Sequence, residues 1–185
     1  MIKQQTKSEA LNIAKPAGGD EILPLLEAVL DGRINKKTTV FFICTGNTCR
    51  SPMAAAYLNH CCGDKYTAES AGISAHDGDP ISENAVIALK EAGILPTPEH
   101  DYTRHRAHTL TDNDAARADI IVTMTEQHAT AVLYAFPQFA GKIIIMPRPI
   151  SDPFGGTVDR YKKCLSEIIS CVDELFHVDG QNKRK

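Results

Sequence analysis

No apolar run in the 185 residues reaches membrane-spanning length, and the N-terminus lacks the apolar core of a secretion signal. The expectation is a protein with no membrane partner and, by default, a cytoplasmic one. A basic excess is missing too. The formal net charge is -3, whereas non-specific nucleic-acid binding needs cationic patches that displace counterions. Nucleic acid is therefore not an expected partner, and Lys183-Arg184-Lys185 reads as a solvated tail. The six cysteines contain no Cys-x-x-Cys pair, and their irregular placement fits neither a disulfide framework nor a zinc site. His76, His100, His108 and His128 have no metal-ligand pattern, so neither metal nor cofactor is expected. Internal repeats and low-complexity tracts are absent, and nothing bears on oligomeric state. What remains, 43% hydrophobic and 23% charged, suits one globular domain with a full core.

That domain is organised around Val40-Phe41-Phe42-Ile43-Cys44-Thr45-Gly46-Asn47-Thr48-Cys49-Arg50-Ser51-Pro52. The run ahead of Cys44 is β-branched and aromatic without polar alternation, the mark of a parallel strand buried on both faces. Gly46 and Asn47 tolerate the left-handed backbone of a tight loop. Ser51 is placed to cap a helix whose first residue is Pro52, with its φ preset and no amide hydrogen to satisfy. Strand, loop and helix together turn backbone N–H groups and a positive helix end toward one hollow, a cradle for a phosphate-sized anion. Thr45, Gly46, Asn47, Thr48, Cys49, Arg50 and Ser51 would line it.

Cys44 opens this loop and Arg50 closes it. Cysteines at helix N-termini beside cations titrate at about 3.5 to 7.5, so a thiolate is expected at neutral pH. Arg50 has the fork geometry to hold two phosphate oxygens while Cys44 attacks phosphorus. Cys-x5-Arg-Ser thus fits covalent phosphoryl transfer through a phosphocysteine. A Walker nucleotide loop is excluded, because no Gly-Lys-Ser/Thr ending follows. The competing readings are a buried structural cysteine before an ordinary turn, and a non-catalytic phosphate-binding module. The second would be favoured by a missing nucleophile, arginine or acid.

Along the rest of the chain, residues 1–38 form an N-terminal extension. It comprises a polar arm ending in Pro16-Ala17-Gly18-Gly19, then a short helix from Pro24 whose Leu25, Leu26, Val29 and Leu30 stripe is closed by Gly32. The stripe is expected to dock on the domain's own surface. Helices are predicted over 52–62, with Met53, Ala56, Tyr57 and His60 facing the sheet, and over 82–92, 111–117, 126–136 and 158–177. Strands are predicted over 66–70, 120–124 and 143–146. Segment 96–108 carries no periodicity and reads as loop. Alternating strands and helices give an α/β fold, a doubly wound four-stranded parallel sheet flanked by helices. Ligands in such folds sit at the carboxyl ends of the strands. That rule selects the loops after Cys44, Ser70, Met124 and Met146.

The leaving group needs a proton, and Asp77, Asp79 and Asp152 all lie on loops at that edge, whereas Asp119 opens a strand at the other. Pro153 biases Asp152 to an extended backbone, and Gly155-Gly156 would give its loop adjustable ends. Cys49, five positions after Cys44, could be brought to it by the curled loop, giving a reversible disulfide that protects the thiolate.

Cys44-Thr45-Gly46-Asn47-Thr48-Cys49-Arg50-Ser51-Pro52-Met53-Ala54 resembles the active-site loop of the low-molecular-weight protein phosphatases, the tyrosine phosphatases and their protein-arginine-phosphatase relatives. The similarity runs from about Thr39 to Phe176, within a phosphatase domain of 39–178 that a basic tail of 179–185 follows. It implies a phosphorylated protein or peptide as substrate, and Asp152 as general acid, since these enzymes carry that acid on an Asp-Pro loop ahead of the last helix. It also implies that Ser51 donates to the thiolate, that Asn47 shapes the loop in strained backbone, and that Ser70 and His105 hold Asn47. Thr48 stands where tyrosine phosphatases carry a bulkier aliphatic residue, and Asp-Pro-Phe-Gly-Gly replaces an Asp-Pro with paired tyrosines. Both features are similar to the arginine phosphatases, with Thr48 ordering a guanidinium and Phe154 stacking on it. A tyrosine phosphatase and a thioredoxin-coupled arsenate reductase stand as alternatives. The latter needs relay cysteines, and Cys61, Cys62, Cys164 and Cys171 all fall outside the loops beside the cradle.

Overall fold

The computed structural model describes residues 36–178 and, ahead of them, positions 24, 25, 27 and 28. Strands β1 (Thr38–Cys44), β2 (Tyr66–Gly72), β3 (Ile120–Thr123) and β4 (Ile143–Ile145) form one sheet in the order β2-β1-β3-β4. All neighbouring pairs are parallel; Val40 lies opposite Ala68 on one side and Ile120 on the other. The connecting helices are α1 (Arg50–Cys62), α2 (Glu83–Glu91), α3 (Asp112–Arg117), α4 (Glu126–Ala135) and α5 (Val158–Phe176). This is the doubly wound sheet the strand-helix alternation predicts.

Burial explains why β1 shows no polar alternation. Val40, Phe42 and Cys44 enter a core with residues of α1, α2 and α5, while Phe41 and Ile43 enter a second core with Ala115, Ala129 and Val132 on the other face. A strand covered on both sides has no face to leave polar. Phe42 and Tyr66 both meet the ring of Phe176 edge-on, at 6.2 and 5.0 Å between centroids, which ties the end of α5 to the sheet.

Local signals placed the helices within a few residues. Thr111 and Asp114 make the reciprocal capping box of α3, and α5 buries Tyr161, Leu165, Ile168, Val172 and Leu175 along one side. Three expectations need correction. Ser51 caps nothing: α1 already begins at Arg50, and the Ser51 hydroxyl is turned into the site. Buried residues of α1 are not confined to a sheet-facing stripe, since Ala54, Ala55 and Leu58 are buried as well and α5 packs against this helix; His60 is only half-buried. Segment 96–108 contains a single 3-10 turn, Tyr102–Arg104, fixed by the Tyr102 hydroxyl donating to Ile94 O at 2.7 Å. In the N-terminal extension, positions 24, 25, 27 and 28 are helical and Leu25 packs on the core, as its stripe predicts. The arm, Leu26, Val29, Leu30, Gly32 and the tail lie outside the described residues. No described helix is long and apolar enough to cross a membrane.

Candidate active site

From β1 the chain moves to β2 on one side, then crosses to β3 on the other, so the sheet reverses direction at the carboxyl end of β1. A crevice opens at such a reversal, and the loop from Cys44 to Arg50 occupies it. Asn47 sits at φ 55, in the left-handed region. It is fully buried, and every polar group of its side chain is engaged. Its Nδ2 donates to Ser51 Oγ at 3.0 Å and Ser70 Oγ at 2.9 Å, and its Oδ1 accepts from His108 N at 3.1 Å. Its carbonyl lies 2.7 Å from His105 Nε2. The positions singled out as holding Asn47, Ser70 and His105, are therefore in contact with it. Gly72 completes the seat: a Cβ there would stand 2.5 Å from Thr45 O, so only glycine lets β2 approach this closely.

Within the loop, Cys44 Sγ lies 3.1 Å from Ser51 Oγ, whose own lone pair is taken by Asn47 Nδ2. The one Ser51 proton can then go to sulfur or to Ala71 O, which lies farther off at 3.4 Å, and a charged sulfur is the stronger acceptor. Arg50 is 5% exposed, its Nη2 donating to Asp152 Oδ2 at 2.6 Å and more weakly to Thr45 Oγ1 at 3.4 Å. Its Nε is buried without a partner among the described residues. A buried guanidinium N–H left unpaired is costly, and an oxyanion seated in the loop would satisfy it. The Asp152 side chain is 50% exposed and also accepts from Phe154 N at 3.2 Å, which holds the carboxyl at the rim.

Cys44, Thr45, Gly46, Thr48, Cys49 and Arg50 line one cavity of about 260 Å³, closed at its mouth by Ser74, His76, Asp79, Asp152 and Phe154. Phe154 is 73% exposed there. Of the three loop aspartates, Asp77 is absent from this cavity and accepts from Thr109 N at 3.0 Å. Asp119, at the far edge, accepts from Thr39 N at 2.8 Å. The loop carrying Asp152 is not free at both ends: Gly155 has φ +70, but Gly156 N donates to Pro153 O and a Cβ on it would stand 2.9 Å from that backbone oxygen. Gly156 is needed for close packing, which corrects the expectation of an adjustable hinge. A separate cavity of about 310 Å³ lies behind the loop, against Ser70, His105 and His108.

Two contributors escaped the sequence reading. His128 is 5% exposed, with Nε2 at 3.0 Å from Thr45 Oγ1 and Nδ1 at 2.8 Å from Thr125 Oγ1. Burial first and the Arg50 charge second push its pKa down to about 4, so the ring is neutral at working pH. Its place just past β3, at the ligand edge, was the available signal. Tyr161, on α5, holds its hydroxyl 3.2 Å from Cys49 Sγ and accepts from Ser82 Oγ at 3.0 Å. Burial raises the Cys49 thiol above its ordinary pKa, so Cys49 is held as a thiol beside Tyr161. All six cysteines are free. Cys61, Cys62, Cys164 and Cys171 lie within α1 and α5, and burial pushes Cys164 up to about 12. Among the described residues no group of three or more His, Cys, Asp or Glu could hold a metal ion.

A family model described as low molecular weight phosphotyrosine protein phosphatase matches residues 39–184. The chain is 33% identical over 143 residues to a protein-arginine-phosphatase of Geobacillus stearothermophilus, covering 74% of this chain and 92% of that one. It is likewise 33% identical over 140 residues to an arsenate reductase of Bacillus anthracis, covering 70% and 98%. Among solved structures, a low molecular weight protein tyrosine phosphatase from T. tengcongensis superposes with a TM-score of 0.68 at 33% identity, over 76% of this chain and 99% of its own. With the loop, the sheet and the matched span in agreement, this chain belongs to the low molecular weight phosphotyrosine protein phosphatase family.

Proposed function

We propose that the protein is a phosphoprotein phosphatase that works through a phosphocysteine and favours phosphoarginine over phosphotyrosine. The observation that carries this reading is the convergence of Cys44, Arg50 and Asp152 on one cavity sized for a phosphorylated side chain. The bound phosphoryl group displaces Asp152 from Arg50, and its oxygens take Nη2, the unpartnered Nε and the loop amides. Cys44 forms an S–P bond as the P–N or P–O bond breaks, and Asp152 gives its proton to the departing nitrogen or oxygen. Water then attacks phosphorus, Asp152 takes a proton back, and the thiolate leaves, stabilised by the Ser51 hydroxyl at 3.1 Å.

For the substrate, Thr48 and Phe154 line the same cavity. A hydroxyl at the rim orders a guanidinium, and an exposed ring stacks on its plane. The relative from Geobacillus stearothermophilus bears the name protein-arginine-phosphatase, which agrees. Relatives named arsenate reductase favour a second reading, but that chemistry needs a relay thiol. Cys164 donates to Ser151 O at 3.4 Å and is kept protonated by burial, which disfavours it for this task. The test is kcat/KM on matched phosphoarginine and phosphotyrosine peptides, with the phosphoarginine peptide expected to be the better substrate. Thr48→Ile is expected to shift the ratio toward phosphotyrosine; an unmoved ratio would leave Thr48 without a role in selection.

A further inference from the structure

We infer that Asp79 sets the substrate class of this pocket by accepting hydrogen bonds from the free N–H groups of a phosphorylated guanidinium. The inference rests on the phosphoarginine reading above and supplies the group that reads the stem of the substrate.

Two carboxylates line the cavity, Asp79 and Asp152. Asp152 rests on Arg50 and Phe154 N and, once a phosphoryl group displaces it from Arg50, is occupied by the proton transfers of the reaction. The Asp79 carboxylate has no hydrogen-bond or ion-pair partner among the described residues, although it borders a site whose floor is built for an anion. Its backbone, by contrast, is tightly held. Asp79 N donates to His76 O at 3.2 Å, Asp79 O accepts from Ala107 N at 2.8 Å, and Gly78 N donates to Ala107 O at 2.8 Å. Pro80 then pairs with Arg106 across an antiparallel bridge. A side chain on a clamped loop is preorganised, so a ligand that meets it loses little entropy in ordering it.

The pocket is thus polarised, with amides and Arg50 at its floor and an unpaired anion at its mouth. A phosphoarginine matches both ends: its phosphoryl group is anionic, while the guanidinium behind it is cationic and carries N–H donors that point outward. A phosphotyrosine brings the same anion on a neutral ring with no donor. For that substrate Asp79 only repels the incoming phosphate, a penalty the guanidinium offsets. Asp79 therefore selects twice, attracting one stem and discouraging the other.

Asp79→Asn and Asp79→Ser, each compared with the parent chain on phosphoarginine and phosphotyrosine peptides of one sequence, test this. The ratio of the two kcat/KM values is expected to fall about five- to twentyfold in both variants, mostly through a higher KM for phosphoarginine. Asp79→Lys is expected to lower it further. Unfolding midpoints that match the parent confirm that the loop is intact. If the parent prefers phosphoarginine and both neutral variants keep its ratio within about twofold, the inference is overturned while the proposed function stands. If the parent itself prefers phosphotyrosine, the proposed function fails first.

Discussion

Asn47 ties the shape of the anion cradle to the stability of the whole fold, so replacing it tests both together. Asn47→Ala removes three side-chain hydrogen bonds, to Ser51, Ser70 and His108 N. At about 1 kcal/mol net for each bond, the loss is about 3 kcal/mol. Alanine at φ 55 adds strain of about 1 kcal/mol, for a total of about 4 kcal/mol out of roughly 5–15 kcal/mol that hold a domain folded. Asn47→Gly loses the same bonds without the strain. It is expected to be gentler by no more than about 0.6 kcal/mol, after allowing for the freedom glycine gains in the unfolded chain. Urea unfolding measures both variants against the parent, and orthovanadate binding reads the cradle separately. Both variants should bind vanadate more weakly, because Ser51 and the left-handed corner lose their common anchor. An Asn47→Ala protein within about 1 kcal/mol of the parent that still binds vanadate normally would refute the view that Asn47 holds the loop.

Other outcomes follow from the same geometry. Asp152→Asn is expected to slow turnover by at least about a hundredfold yet tighten vanadate binding, since Arg50 no longer holds an internal carboxylate at 2.6 Å; single-turnover rates and vanadate titration separate the two effects. His128 binds a proton below about 4 in the folded chain and near 6.5 when unfolded. The unfolded state therefore holds more protons between those values, and stability falls as pH drops through that window, by up to about 3 kcal/mol. His128→Gln, which keeps hydrogen bonding without a titrating ring, should flatten that stretch of the pH–stability curve; a curve identical to the parent's would discard the assignment. Under mild peroxide a Cys44–Cys49 disulfide is expected by mass spectrometry, forming faster in Tyr161→Phe, where the contact at 3.2 Å to Cys49 is lost; sulfinic acid at Cys44 with no crosslink would count against it.

How legible a residue was depended on whether its partners were near in sequence. The capping box of Thr111 and Asp114 spans three positions and could be read directly. Asp152 could be narrowed to three aspartates by the sheet-edge rule and preferred through Pro153, but its bond to Arg50 joins residues 102 positions apart. Ser51 misled although its partners are only seven and four positions away, because the curl of the loop, not the spacing, aims its hydroxyl. A serine before proline is a strong local capping signal, and here it yields to Cys44 and Asn47, which the fold brings to the same hydroxyl. His128 and Tyr161 were illegible in role because an imidazole or phenol on an apolar helix face looks like core until the opposing atoms are known.

The sequence by itself determined the parallel sheet, through apolar runs too short for helices and too uniform for half-exposed strands, and it located the anion loop by the order of Cys44, Gly46, Arg50 and Pro52. Those are signals carried within a dozen residues, where covalent spacing fixes geometry. Only the tertiary structure decided that Arg50 rests on Asp152 with Nε unpaired, that His128 stands neutral behind Thr45, and that Asp79 rather than Asp77 faces the cavity. Each of those depends on desolvation and on contacts between distant segments, quantities that come into being only when the chain closes around the site.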